Sequence, residues 1–208
     1  MGQAEGLPVH HYHEVLEGGA IEVNGEGLLL TTEAVLLNPN RPPHYEKNTI
    51  EQLLNERLGA REVIWLKSGI VGDDTGGHID DIARFTTPHS ILISDDPHGP
   101  NASILEENQR LLQQQFTGTI IKLPMPKACE IPGWRLPVLP ASYVNFLITN
   151  HMILVPTFRQ KANDDRALGI IAEQFPRHEV VGIDALDIVH EGGAIHCISM
   201  QQAAHPIS

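Results

Sequence analysis

Four side chains with complementary chemistry stand in glycine-led loops far apart along this 208-residue sequence: Glu17, His78 with Asp80, and Cys197. A thiolate attacks an electron-poor carbon, an imidazole moves protons, and carboxylates hold and orient a cation. Together they suit nucleophilic attack on a cationic carbon. Each has a bland reading of its own. A lone cysteine in a strand packs as a small hydrophobe, and a lone histidine is an ordinary hydrogen-bonding group. Their coincidence in loops of one type sets the functional reading beside the bland one. The pair His78 and Asp80 also keeps a metallohydrolase in view as a rival.

The loops share a sequence as well as a chemistry. Glu17-Gly-Gly-Ala-Ile21 recurs letter for letter as Glu191-Gly-Gly-Ala-Ile195, and Gly76-Gly77-His78-Ile79 keeps the Gly-Gly-x-Ile core. Paired glycines permit a tight turn or a close backbone approach that a Cβ would prevent. If the segments that follow them pack about a common axis, such loops converge at one end.

The elements that would position the loops come in a repeat. Helical periodicity over residues 46–58, 101–116 and 163–175 predicts three helices; Gly59 stops the first and Pro176 the third. Ser103 and Glu106 have capping-box spacing in the second. Strand patterns precede each helix in pairs (21–23 and 28–32; 80–85 and 90–94; 143–148 and 152–155). One follows each (62–66, 119–123, 179–183). The order strand, strand, helix, strand thus occurs three times, and residues 194–199 read as the opening strand of a fourth unit. The fold class is α/β, and the whole of 1–208 reads as a single domain.

Composition narrows the partners. A net charge of −12 argues against nucleic acid, whose phosphates need a basic patch, and suits a small cation through steering. No apolar run reaches the length of a bilayer span. Two cysteines, Cys129 and Cys197, are too few for a disulfide framework, so a reducing cytoplasm is the expectation. His10, His11, His13 and Glu14 read as an exposed approach strand without metal-ligand spacing. Asp73 and Asp74 read as capping or binding acids, Cys129 as incidental, and Trp134 and Arg135 as contacts within a proline-rich connection.

The segment from Gly69 to Phe85, GIVGDDTGGHIDDIARF, resembles the central motif of the agmatine deiminases and their bacterial peptidylarginine deiminase relatives. Gly192-Gly-Ala-Ile-His-Cys-Ile-Ser-Met-Gln-Gln202 resembles the cysteine motif of the same family. Leu16-Glu-Gly-Gly19, Leu37-Asn-Pro-Asn-Arg41, Leu123-Pro-Met-Pro126 and Ala141-Ser-Tyr-Val-Asn-Phe146 follow in family order. The resemblance implies a five-bladed α/β propeller of ββαβ units, of which this chain would hold about three blades and a trailing strand. It implies Cys197 as nucleophile, His78 as general acid/base, Asp80 as guanidinium-binding carboxylate and Glu17 as a further substrate-binding acid. No metal or organic cofactor is expected.

The implied reaction converts agmatine to N-carbamoylputrescine and ammonia through a covalent thiouronium on Cys197, in putrescine biosynthesis. Peptidylarginine or free arginine is the alternative substrate, and a non-catalytic guanidinium-binding remnant the alternative function. The resemblance further implies that a second guanidinium-binding aspartate and part of the pocket wall lie in a portion N-terminal to this chain. Open blade edges then point to self-association.

Overall fold

The computed structural model describes residues 11–41, 43–133, 135 and 138–201. Its strands form three small mixed sheets, each built alike. In the first, β1 (Glu22–Val23) runs antiparallel to β2 (Leu28–Thr32), and β2 parallel to β3 (Glu62–Leu66). The second repeats this with β4 (Ala83–Thr87), β5 (Ser90–Asp95) and β6 (Thr119–Pro124), the third with β7 (Leu147–Ile148), β8 (Met152–Thr157) and β9 (Glu179–Asp184). A hairpin serves each antiparallel pair, but a parallel pair needs a long crossover, and a helix supplies it. In the first sheet the crossover holds α1 (Glu33–Leu36) and α2 (Lys47–Leu58); α3 (Ala102–Gln115) and α4 (Lys161–Gln174) serve the others.

Helices and strands stop where local chemistry dictates. Gly59 closes α2 in the left-handed region (φ 70°), where its N–H reaches Asn55 O. Asp164, in the first turn of α4, accepts the N–H groups of Phe158 and Gln160 (3.1 and 2.8 Å). The expected capping box does not form. Helix α3 starts at Ala102, so Ser103 lies inside it, and Asn101 at its start turns its side-chain oxygen to Val71 N (2.7 Å) instead.

Several strand expectations also change, among them 143–148, of which only Leu147–Ile148 forms a strand. Residues 79–81 form a 3-10 turn before β4, which buries Asp80 and Asp81 inward rather than alternating them. Residues 194–199 form no strand. A strand needs a neighbour to take its backbone groups, and here His196 N bonds Asn145 O while Ser199 N turns back to His196 O. Residues 11–16 are likewise irregular rather than a strand, with His11 and His13 exposed; His10 lies outside the described residues.

The units pack through their helices and both faces of their sheets. Ile91 and Ile93 of β5 join Leu30, Ile64 and Leu66 of the first sheet in one core, while the intervening Leu92 joins the core beneath α4. Period two along a strand makes this possible. Helix α3 packs on β3 of the preceding unit as well as on β5, and α4 on β6 as well as on β9. The edge of β3 gains a polar seam from α3: Gln115 bonds both Trp65 N and Trp65 O, and Asn108 bonds Lys67 N and Ser68 O. Arg84 on β4 ties all three units together. Its Nε meets Glu22 Oε2 on β1 (2.7 Å), and its Nη1 donates to Phe146 O before β7 (2.7 Å).

Candidate active site

Each of the three glycine-led loops is held by its own hydrogen bonds. In the first, Gly18–Ala20 is a 3-10 turn whose Ala20 oxygen accepts Thr31 Oγ1 of β2 (2.8 Å). In the second, one carboxylate organises the backbone: Asp73 accepts Thr75 N, Gly77 N and His78 N (2.8, 2.9 and 3.1 Å). Gly77 sits at φ 106°, where its oxygen meets Thr32 Oγ1 (2.6 Å). The third loop turns at Gly192 (φ 98°) and carries Cys197.

These loops meet at one cavity of about 490 Å³, lined by Glu17, His78, Glu191, His196, Cys197 and Met200 among others. Cys197 Sγ stands 3.5 Å from Asp80 Oδ2, and His78 Nδ1 stands 3.9 Å from Asp80 Oδ1. On its other side, His78 Nε2 meets Glu17 Oε2 at 2.9 Å. The four side chains that share a loop type thus form one continuous chain of contacts across 180 positions of sequence, from Glu17 to Cys197. The glycines leave room for it. A Cβ on Gly19 would lie 2.5 Å from His78 Nδ1, and one on Gly193 would lie 2.6 Å from Cys197 Cβ.

Further residues complete the arrangement. His196 Nδ1 bonds Asp80 Oδ2 (2.7 Å), which leaves Asp80 Oδ1 buried without a hydrogen-bond partner among the described residues. Asn145 Nδ2 donates to Cys197 Sγ at 3.1 Å. Arg41 grips Glu17 through Nε and Nη2, the latter 2.8 Å from Oε2. Asp81 is buried, and neither of its carboxyl oxygens has a hydrogen-bond partner among the described residues. Arg41 and Asn145 lie inside segments that carry the family resemblance, so their importance had a sequence signal but their contacts did not. Asp81 and His196 lie inside the two longest of those segments, next to Asp80 and Cys197, so the same holds for them.

The electrostatics follow from burial and neighbouring acids. Burial, then the charges of Asp81 and Asp80, push the Cys197 thiol well above its ordinary range, against the pull of the Asn145 hydrogen bond. Burial, then Asp80 and Asp73, push Asp81 upward too. Burial works to raise Glu17, but the bonds from Arg41 and His78 outweigh it and hold the carboxyl below its usual range. The free site is therefore poor in positive charge around its sulfur.

The remaining expected groups fall outside this centre. Asp74 pairs with Arg135, whose Nη2 also reaches Glu191 O (3.0 Å), so the proline-rich connection straps the cysteine loop. Trp134 lies outside the described residues. Cys129 is half-buried beside Gln160, away from the cavity lining. Asp80, Asp81 and Cys197 offer ligand atoms within 4.8 Å of one another, and His78 is not part of that group. No described helix is long and apolar enough to cross a membrane.

This set of small mixed sheets is the α/β fold of the agmatine and arginine deiminases. An agmatine deiminase of Enterococcus faecalis superposes with a TM-score of 0.87 at 31% identity, over 95% of this chain and 60% of that one. An agmatine deiminase of C. jejuni with substrate bound superposes at 0.86 with 32% identity, over 93% and 57%. The agmatine deiminase of Medicago truncatula is 41% identical over 96% of this chain and 60% of its own length. Residues 1–203 match the Porphyromonas-type peptidyl-arginine deiminase family, and the chain belongs to that family. It spans between half and two thirds of the length of these relatives.

Proposed function

We propose that this chain carries the reactive centre of an agmatine deiminase. The observation that carries the reading is the contact chain from Glu17 through His78 and Asp80 to the Cys197 sulfur in one cavity. Agmatine deiminases are also among its relatives, one of them solved with substrate bound. Asp80 Oδ1, the acceptor without a partner, receives an N–H of the flat guanidinium cation. That cation supplies the positive charge the sulfur lacks, and its arrival favours the thiolate.

The Cys197 thiolate then forms a bond to the central carbon. As the tetrahedral adduct collapses, the C–N bond breaks and His78 gives its proton to the departing ammonia. Water, losing a proton to His78, attacks the thiouronium carbon. The C–S bond breaks, returning the electron pair to sulfur, and N-carbamoylputrescine leaves as the urea product. Glu17, gripped by Arg41, orients the imidazole and adds negative charge for the substrate. No cofactor enters this sequence.

Agmatine is favoured over arginine by the charge of the cavity. Its described lining includes Glu17, Asp74 and Glu191 and no lysine or arginine. Glu17 and Asp74 are already paired with Arg41 and Arg135, so it is Glu191 that suits the distal ammonium of agmatine, whereas a free carboxylate would need a cationic grip. In this reading the product feeds putrescine formation, and a reducing cytoplasm would preserve the free thiols.

The three sheets are read as three blades of a five-bladed propeller, with 1–208 as one part of that single domain. The packing supports this: α3 covers β3 and α4 covers β6, but no described helix of a following unit covers β9. The remaining blades, or a second copy of the chain, would pack there. Ammonia release from agmatine, with L-arginine in parallel and Cys197→Ala as control, tests the function. Release that is greatest with agmatine and abolished by Cys197→Ala is expected; equal rates in the two proteins would remove the thiol mechanism.

A further inference from the structure

We propose that Asn145 is a positioning residue for the nucleophile, its amide N–H holding the Cys197 sulfur while its oxygen fixes the turn that carries it. This rests on the reading of Cys197 as the attacking group. Three contacts support it. Asn145 Nδ2 lies 3.1 Å from Cys197 Sγ, and Asn145 Oδ1 accepts His196 N at 2.9 Å and Cys197 N at 3.4 Å. The residue's own backbone oxygen takes His196 N as well (3.2 Å). Asn145 is fully buried, and its N–H bond to Ser142 O anchors it in the third unit. One side chain therefore joins the segment before β7 to the reactive turn, 52 positions away.

The need for such a group follows from what surrounds the sulfur. Asp80 and Asp81 approach it from the 3-10 turn before β4. His196, from its own turn, is spent on Asp80, and His78 is paired with Glu17 across the cavity. Glu191 adds negative charge on the cavity wall, where Asp74 is already paired with Arg135. Against these acids, the Asn145 amide is a neutral donor aimed directly at the sulfur. A donor to a charged acceptor stabilises that charge, so the amide holds the developing thiolate as substrate arrives. The side-chain oxygen simultaneously prevents the turn from rotating the sulfur away.

Alkylation of Cys197 by iodoacetamide, followed from neutral to alkaline pH, reads this without turnover. A Cys129→Ala background leaves one thiol to react. Losing a hydrogen bond to a charged group raises the thiol by about one to two pKa units. Intrinsic nucleophilicity rises partly in compensation, so Asn145→Ala should react roughly three- to tenfold more slowly below the thiol pKa. Asn145→Asp keeps an oxygen for the two backbone N–H groups but offers the sulfur no donor, and should be slower still. A purely structural role moves the rate the other way, because a loosened turn carries the sulfur away from Asp80 and Asp81 and returns it toward ordinary reactivity. An unchanged or faster rate in either variant overturns the proposal. Absence of ammonia from agmatine, with both variants slowed, would instead count against the deiminase reading alone.

Discussion

Asp81 is the side chain whose environment fits it least. Its carboxyl is buried beside Asp80 and Cys197 with no hydrogen-bond partner among the described residues. Burial and the neighbouring acids raise it, so the folded protein keeps a proton that the unfolded chain releases. Stability from this group is complete below the ordinary aspartate range and is lost as pH rises through and beyond it. Asp81→Asn should therefore be close to neutral at acid pH and stabilising at neutral pH, by about 1–3 kcal/mol. Urea unfolding at the two pH values measures the difference. Because the folded carboxyl already carries its proton, Asp81→Asn should leave Cys197 alkylation at neutral pH nearly unchanged. Equal stability gains at both pH values would show that Asp81 is ionised in the fold.

At the scale of the element, turns and seams matter more than helix propensity. A methyl on Gly193 would meet Cys197 Cβ and Sγ at 2.6 and 2.9 Å, so the sulfur must move. A misplacement near 1 Å costs about 100-fold in rate. Gly193→Ala should thus lose about that much ammonia release while its thermal midpoint falls little, since the clash is with the cysteine side chain and not with the core that Ala194 and Ile195 join. A midpoint that collapses together with activity would place the glycine in the fold rather than the site. The seam between α3 and β3 behaves oppositely. Asn108 is fully buried and serves both Lys67 N and Ser68 O (2.8 and 2.9 Å). Asn108→Ala strands both groups and should cost about 2–4 kcal/mol in a urea titration.

For the whole molecule, the decisive contact is the one that crosses all three units. The Arg84 and Glu22 side chains are 4% and 10% exposed, so their pair is shielded from water. Glu22 Oε1 also takes Phe85 N, and the Arg84 guanidinium stacks 5.0 Å from the Phe146 ring. Removing one partner leaves the other charge buried and uncompensated, a loss of about 3–5 kcal/mol. Arg84→Met should show that loss, and adding Glu22→Gln should recover part of it. A double-mutant cycle by urea unfolding gives the coupling; additive losses would mean that the pair acts as two separate surface charges. The same variant should slow Cys197 alkylation or agmatine turnover only through the shift of the third unit, since Arg84 does not line the cavity.

What the sequence determined by itself was the repeat and the four side chains that the fold brings together. Apolar period and glycine punctuation are local properties, so α2, α3, α4 and β2, β3, β5, β6, β8 and β9 could be read from residues a few positions apart. The recurrence of Glu-Gly-Gly-Ala-Ile likewise marked Glu17 and the cysteine loop as equivalent places. Tertiary structure decided the rest. Residues 194–199 have strand composition but no neighbouring strand, and the backbone bonds to Asn145 bend them into the turn that presents the sulfur. Ser103 has the right spacing for a cap, yet Asn101 is drawn to Val71 and the helix starts elsewhere. Asn145, His196, Arg41 and Asp81 gain their meaning from partners 24 to 116 positions away or from burial. Hydrogen bonding and desolvation depend on distance in space, which one chain's order of residues encodes only after it has folded.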